Sequence, residues 1–178
     1  LGIGSKYADI VINALYERTD PPENSYFGYK YICLRDEFFI FPFKDVTPDV
    51  NEILIIFGGS DPNDLTLRTL RSIENLGLTS VRINIILGLG YEYYDNLQKY
   101  INELINKHYK IEVNKNIKIM AKHIVNADVA VTSNGRTVYE IASLGVPCIS
   151  ISQNEREMSH LFSYICGGVK NLGIESNV

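Results

Sequence analysis

The stretch EILIIFGGSDP, residues 52–62, carries the strongest structural signal in the sequence. Residues 52–57 form an apolar run rich in β-branched side chains, which is typical of a strand buried on both faces of a parallel sheet. Gly58 and Gly59 end that run. Asp61 followed by Pro62 then predicts a helix start, with the aspartate as its cap and the proline at its first position. The stretch therefore predicts a strand–turn–helix unit.

The same alternation continues to the end of the chain. Further strands are predicted at residues 82–87, 110–113, 128–132 and 147–151, with a weak sixth strand at 167–171. Helices are predicted at residues 62–76, 94–108, 116–126 and 135–144, and a last long helix over 158–165. Strands that alternate with helices of this length imply right-handed crossovers. We therefore predict an α/β fold, a doubly wound, Rossmann-like parallel sheet in three α/β/α layers, with strand order 3-2-1-4-5-6.

That strand order predicts the position of a ligand site. The cleft of such a sheet opens between its first and fourth strands, at their carboxyl ends, and the turns at residues 58–61 and 133–136 face it. Gly58 and Gly59 allow a phosphate to approach the backbone closely, Ser60 adds a hydroxyl donor, and N–H groups at the next helix start favour an anion. The alternative is that the glycines only form a tight turn.

Two later segments add candidate polar groups. Asn134 and Gly135 form the second turn, Thr137 is in donor position, and Glu140 lies one helical turn further on, where a carboxylate can accept ribose hydroxyls. The alternative is a capping role for the turn and a surface position for Glu140. Asn154, three residues before a glutamate, predicts a capping box, whose helix start could also meet a sugar or a phosphate.

Residues 1–45 do not follow this repeat. Residues 8–14 (ADIVINA) predict a buried strand without an upstream partner, and residues 26–43 are dense in aromatic side chains. We interpret residues 1–45 as the last strand and the connector of a preceding domain that is absent from this chain. The alternative is that this strand extends the edge of the single sheet. The aromatic residues could also pair two chains, so the oligomeric state stays open.

Composition excludes several classes of function. The net charge of -4 over 178 residues provides no basic field for nucleic acid, and no apolar run reaches the roughly 20 residues of a membrane helix. Cys33, Cys148 and Cys166 lack the spacing of a disulfide framework or zinc site, which favours a reducing, cytoplasmic setting. No metal or other cofactor is predicted. Residues 87–92 (LGLGYE) resemble a dinucleotide fingerprint but lack its third glycine.

With these motifs, the sequence resembles the C-terminal half of GT-B-type nucleotide-sugar enzymes. It is most similar to the UDP-sugar hydrolases of the pseudaminic acid pathway, and more distantly to the peptidoglycan N-acetylglucosaminyltransferase. The matching stretches are ILIIFGGSDP (53–62), ADVAVTSNGRTVYEIASLGVP (127–147) and QNERE (153–157). Residues 31–38 (YICLRDEF) resemble the segment that links the two halves of the hydrolase. Such domains also occur fused behind acylneuraminate cytidylyltransferases.

The resemblance implies a nucleotide-sugar-binding domain at residues 46–178 and assigns roles within it. The nucleotide and its diphosphate would contact Gly58, Gly59, Ser60, Asn134, Gly135, Arg136 and Thr137. Glu140 matches the carboxylate that binds the ribose, and Asn154 and Glu155 match a pair near the sugar and phosphate. Arg136 and Glu155 depart from the family pattern, which has a serine and a glutamine there.

The resemblance also implies a function for the parent protein. It would be a UDP-sugar hydrolase or glycosyltransferase acting on a UDP-linked amino sugar, in bacterial nonulosonic acid or surface polysaccharide biosynthesis. The family's catalytic histidine lies in the N-terminal domain, so no catalytic residue is assigned here, and the chain is expected to be inactive without that domain as its partner. The alternative is a degenerate, non-catalytic nucleotide-binding or interaction module attached to a cytidylyltransferase, which Arg136 and Glu155 favour.

Overall fold

The computed structural model describes residues 2–174. Its N-terminal segment contains two short 3-10 helices, a two-stranded parallel sheet and one helical turn. These elements are the 3-10 helices Ile3–Tyr7 and Tyr29–Tyr31, strands β1 (Val11–Asn13) and β2 (Ser25–Phe27), and helix α1 (Glu37–Ile40).

The remainder forms one six-stranded parallel sheet with helices on both faces. Its strands are β3 (Glu52–Ile56), β4 (Arg82–Leu87), β5 (Lys110–Lys115), β6 (Val129–Ser133), β7 (Cys148–Ser152) and β8 (Val169–Ile174). Its helices are α2 (Leu65–Asn75), α3 (Tyr94–Asn106), α4 (Met120–Asn126), α5 (Thr137–Ser143), α6 (Glu155–Met158) and α7 (Phe162–Ile165). The strand order is β5-β4-β3-β6-β7-β8, which counted from β3 is the predicted 3-2-1-4-5-6. The predicted fold class is confirmed.

The apolar run of β3 supplies both halves of the core. Adjacent residues of a strand point to opposite faces, so Leu54 packs with Ile124 of α4 and Ile141 of α5, whereas Ile55 packs with Leu70 of α2. All five side chains are fully buried. This double burial explains why the strand reads as a continuous apolar run and why the molecule has three layers.

Two helices begin three or more residues later than predicted. Helix α2 begins at Leu65 rather than Pro62, because Asp61 adopts a left-handed conformation (φ +48°) and caps the helix from four residues upstream. Its carboxylate accepts the N–H groups of Leu65 (2.9 Å) and Thr66 (2.8 Å). Helix α4 begins at Met120, since Asn116 is also left-handed (φ +53°).

The predicted long helix over residues 158–165 is wrong, because the structure divides this region into α6 and α7. The side-chain amide of Asn134 donates to the carbonyls of Glu157 (2.7 Å) and His160 (3.3 Å), which in a continuous α-helix would accept from the N–H groups of residues 161 and 164. Leu161 and Ile165, two residues of the predicted apolar stripe, are about half exposed.

The N-terminal strand also differs from its prediction. Residues 11–13 form β1, which pairs with the downstream strand β2 and does not extend the six-stranded sheet, so the alternative prediction is wrong. It is also not buried, since Ile10 and Ile12 are largely exposed. The segment contacts the main domain near α6 and α7, where the Tyr16 hydroxyl accepts from Arg156 Nε at 2.8 Å. The Tyr16 ring packs edge-on against His160.

The connector between α1 and β3 is bound to the sheet through Asp128. One carboxylate oxygen accepts from Lys44 Nζ (2.8 Å) and the other from the N–H groups of Asn51 (2.8 Å) and Glu52 (3.0 Å). Burial raises the pKa of this carboxyl, but the three donors outweigh burial, and the pKa is lowered overall.

We expect Asp128→Asn to lower the free energy of unfolding at pH 7 by about 1–3 kcal/mol, since its amide nitrogen cannot accept these hydrogen bonds. A lowered folded-state pKa stabilises the protein above the unfolded value of about 4, and this contribution is lost as the pH falls through the folded-state pKa. Urea unfolding of both proteins at pH 7 and pH 3 should therefore show a difference that shrinks in acid. Equal stability at pH 7 would contradict this account.

Candidate functional site

Three loops at the carboxyl ends of β3, β6 and β7 surround a cavity of about 340 Å³, which we call the loop cavity. Seven of the ten predicted site residues line it: Gly58, Gly59, Ser60, Gly135, Arg136, Thr137 and Asn154. The two turns predicted to face one cleft, separated by more than 70 residues of sequence, therefore do meet. The topology explains this, because β3 and β6 are adjacent at the point where the winding direction reverses.

Glycine leaves open space at the centre of the first turn. A Cβ atom built on Gly59 would have no neighbouring heavy atom within 4 Å, and Gly59 is exposed. Gly135 on the opposite wall is closer to its surroundings, with Ser133 Oγ at 3.7 Å and Glu157 Oε1 at 3.8 Å from the same hypothetical atom. A ligand group can therefore reach the backbone of Gly59 directly.

Asn134 does not line the loop cavity. It is buried, and besides its two donated hydrogen bonds its backbone carbonyl accepts from His160 Nδ1 at 2.7 Å. Because the carbonyl can only accept, this His160 nitrogen carries its proton. The predicted ligand residue is instead a structural link between the turn after β6 and the α6–α7 region.

Glu140 and Glu155 also lie outside the cavity lining. Glu155 is exposed at the start of α6. The Glu140 carboxylate lies 3.7 Å from the guanidinium of Arg35, which precedes α1. Burial raises the pKa of Glu140, and the nearby arginines offset this only in part. Glu140 lies in the first turn of α5, four residues after Arg136, which precedes this helix and lines the cavity.

The sequence prediction placed Asp61 and Ser133 in the two turns but gave them no ligand role, and it missed four further wall residues, which are Phe57, Pro62, Gln153 and Glu157. Gln153 joins two walls, since its Nε2 donates to Asp61 Oδ1 (3.0 Å) and its carbonyl accepts from Asn63 Nδ2 (2.7 Å). The sequence could have indicated a role for Gln153, because this residue directly follows β7 and so lies at the same sheet edge as the other two turns.

The sequence predicted that N–H groups at the start of α2 are available to an anion. This prediction is wrong for the first two N–H groups of the helix. Asp61 already accepts the N–H groups of Leu65 and Thr66. The capping role predicted for Asn154 is confirmed, since its Oδ1 accepts from Glu157 N at 3.0 Å. The Glu157 carboxylate accepts from Gln153 N at 2.8 Å, whereas in a capping box it would accept from the N–H group of Asn154. An anion in the cavity would therefore contact the backbone N–H groups of the turns and the Arg136 side chain. The carboxylates of Asp61 and Glu157, which accept hydrogen bonds from the protein, would lie nearby.

A second cavity, of about 280 Å³, lies between α2 and the face of β6 and β7. Its exposed surface is almost entirely apolar, with walls such as Ile73, Val131 and Ile149. It supplies few polar groups that could orient a ligand, so the loop cavity is the candidate site.

Within residues 2–174, no group of three or more His, Cys, Asp and Glu side chains is placed to hold a metal ion. No helix of the same range combines the length and apolar character needed to cross a membrane.

Sequence comparison identifies partial relatives. No family model matches the chain. It is 33% identical over 174 residues to an uncharacterized protein of Methanocaldococcus jannaschii, with 90% of this chain and 36% of that protein covered. It is 27% identical over 165 residues to the spore coat polysaccharide biosynthesis protein SpsG of Bacillus subtilis, with 88% of this chain and 47% of SpsG covered. The chain thus spans between about a third and a half of these curated relatives.

Structural comparison identifies a similar fold. The crystal structure of MurG from Acinetobacter baumannii superposes with a TM-score of 0.64 and 20% sequence identity, over 95% of this chain and 48% of that chain. This identity establishes similarity of fold alone. The chain is therefore similar in sequence to part of SpsG, and its Rossmann-like α/β fold is similar to that of about half of MurG.

Proposed function

We propose that residues 46–178 are the nucleotide-diphosphate-binding half of an enzyme that acts on a UDP-linked amino sugar, with the diphosphate in the loop cavity. One observation carries this proposal: residues 58–60 and 135–137 face the same cavity, with open space in front of Gly59. The similarity to a spore coat polysaccharide biosynthesis protein and the MurG-like fold support a sugar-nucleotide role.

The polar groups of the cavity suit a diphosphate. Backbone N–H groups of the first turn and the hydroxyls of Ser60 and Thr137 would donate to phosphate oxygens, and Arg136 would add a charged, forked donor. Such fixed donors would stabilise the diphosphate as it leaves the anomeric carbon. The positive charge of Arg136 would also offset the repulsion between the diphosphate and the carboxylates of Asp61 and Glu157.

In this proposal, the chain binds the nucleotide, and a preceding domain supplies the base that directs water or an acceptor to the sugar. Residues 1–45 would be the end of that domain and its connector. The parent protein would be a hydrolase of the pseudaminic type or a glycosyltransferase, acting in the cytoplasm in nonulosonic acid or surface polysaccharide biosynthesis.

Calorimetric titration of the chain with UDP, CMP and NAD tests the proposal. We expect UDP to bind with a micromolar to millimolar dissociation constant and to bind more tightly than the other two. Preferential binding of NAD would contradict it. A failure of all three ligands to bind would favour the rival function, a non-catalytic module, for which the two carboxylates in the cavity wall are the specific argument.

We expect Glu140→Gln to weaken UDP binding by about tenfold, because a neutral amide accepts ribose hydroxyls less strongly than a carboxylate. In the wild type, burial raises the pKa of Glu140 in the folded protein. Above the unfolded-state pKa, the ionised carboxylate therefore destabilises the folded protein, and stability is regained as the pH falls. The variant should therefore be at least as stable as the wild type at pH 7.

Glu103→Gln is the matched control for Glu140→Gln, since Glu103 is exposed on α3, lies outside the cavity lining and was given no role in binding. It should bind UDP with wild-type affinity. Equal effects of the two substitutions on UDP affinity would contradict the ribose role of Glu140.

A further inference from the structure

The turn at residues 58–60, which we call the diphosphate turn, packs directly against the loop after β4. That loop, residues 88–93 (GLGYEY), contains the glycines that resemble a dinucleotide motif, and we call it the clamp loop. A Cβ atom on Gly88 would lie 2.2 Å from the carbonyl oxygen of Gly59 and 2.3 Å from that of Gly58. Only glycine allows this approach, because the obstructing atoms belong to the backbone.

Three hydrogen bonds extend this contact along the segment that leads into α2. Gly90 N donates to the Gly59 carbonyl at 2.9 Å. The Tyr93 hydroxyl donates to the Pro62 carbonyl at 2.9 Å, and the Tyr91 hydroxyl donates to Asp64 Oδ1 at 2.5 Å.

The segment needs such external contacts, because its own backbone is unfavourable. Asp61 and Asp64 both adopt left-handed conformations, with φ of +48° and +50°. Non-glycine residues adopt this region at a cost and keep it only where surrounding contacts require it.

The contacts also set the direction of the turn amides. In a trans peptide the C=O and the following N–H point in opposite directions. The carbonyls of Gly58 and Gly59 face the clamp loop, so the N–H groups of Gly59 and Ser60 point away from it. Within residues 2–174, neither N–H donates to a protein acceptor.

We propose that the clamp loop is the positioning element of the diphosphate turn: it binds the turn's carbonyls and thereby directs two unpaired N–H groups at the phosphates. This inference rests on the proposed function and assigns a role to residues outside the cavity lining. Gly88 and Tyr93 are the positioning residues, acting on the ligand only through the turn.

Gly88→Ala tests the proposal, with UDP and uridine as probes. The added methyl group must displace the diphosphate turn, so UDP affinity should fall at least about tenfold, as expected from the loss of one hydrogen bond to a charged group. Uridine affinity should stay unchanged, because uridine has no phosphate. A merely structural role would lower both affinities together. Leu89→Ala, at an exposed position of the same loop, is the matched control and should change neither.

A ligand-free measurement separates this proposal from the proposed function. In ¹H–¹⁵N spectra without nucleotide, Gly88→Ala should shift the amide signals of Gly59 and Ser60 and leave that of Gly135 in place. If wild-type protein binds no UDP, the proposed function fails and these shifts alone decide the positioning role. Unchanged shifts together with unchanged UDP affinity would overturn the role.

Tyr93→Phe provides a second variant should Gly88→Ala fail to fold. It removes only the hydroxyl that donates to Pro62 and should produce a smaller effect of the same kind. UDP affinity and Gly59 and Ser60 amide shifts equal to wild type in Tyr93→Phe would then count against the proposal.

Discussion

Replacing Gly59 with valine should reduce UDP affinity at least about 100-fold while the protein remains folded, a loss of about 2.7 kcal/mol in binding free energy. The isopropyl group would enter the loop cavity and occupy the space proposed for the diphosphate. The protein itself should tolerate the substitution, since no heavy atom lies within 4 Å of the new Cβ position. Calorimetric titration with UDP measures the affinity, and thermal unfolding measures the fold.

Gly167→Val is the matched control for this experiment. Gly167 also has no heavy atom within 4 Å of a hypothetical Cβ, but it precedes β8 and lies outside the loop cavity. It should retain wild-type UDP affinity. A Gly59→Val protein that binds UDP as tightly as wild type would show that the diphosphate lies elsewhere.

Asn134→Ala should lower the free energy of unfolding by about 1–3 kcal/mol, because the carbonyl of buried His160 loses its donor, whereas the Glu157 carbonyl keeps the backbone N–H of His160 as a donor. The side chain of Asn134 is 2% exposed and donates both hydrogen bonds into the protein. Urea unfolding measured at neutral pH tests this expectation. The result would identify Asn134 as a residue that stabilises the fold rather than one that contacts the nucleotide.

Asn154→Ala makes the same chemical change at an exposed position and is the control. Asn154 caps only the four-residue helix α6, so its loss should cost about 1 kcal/mol. If Asn154→Ala proved the more destabilising of the two, the structural role given to Asn134 would be wrong.

The main sheet could be predicted from the sequence because it is buried on both faces. Each central strand then appears as an apolar run, and residues 82–87 were delimited correctly as β4. The handedness of crossovers restricts the order in which such strands assemble. In the N-terminal pair, β1 was predicted within residues 8–14 but as a buried strand, and β2 was not predicted; each has three residues and neither contains a buried side chain.

The location of the site was predictable because topology brings the carboxyl ends of β3 and β6 together. The orientation of single side chains was not. Asn134 has the same local sequence whether its amide faces the cavity or the protein. Its partners Glu157 and His160 lie 23 and 26 residues further along the chain. The same long-range hydrogen bonds divide α6 from α7, so the helical spacing of residues 158–165 predicted one helix.

The central claim is that the diphosphate of UDP contacts the two turns of the loop cavity. Titration of ¹⁵N-labelled protein with UDP, followed residue by residue in ¹H–¹⁵N spectra, tests it most directly. The account predicts saturable shifts that are largest at the amides of Gly59, Ser60, Gly135 and Thr137. Shifts that leave these four amides unchanged, or no UDP-dependent shifts at all, would contradict it.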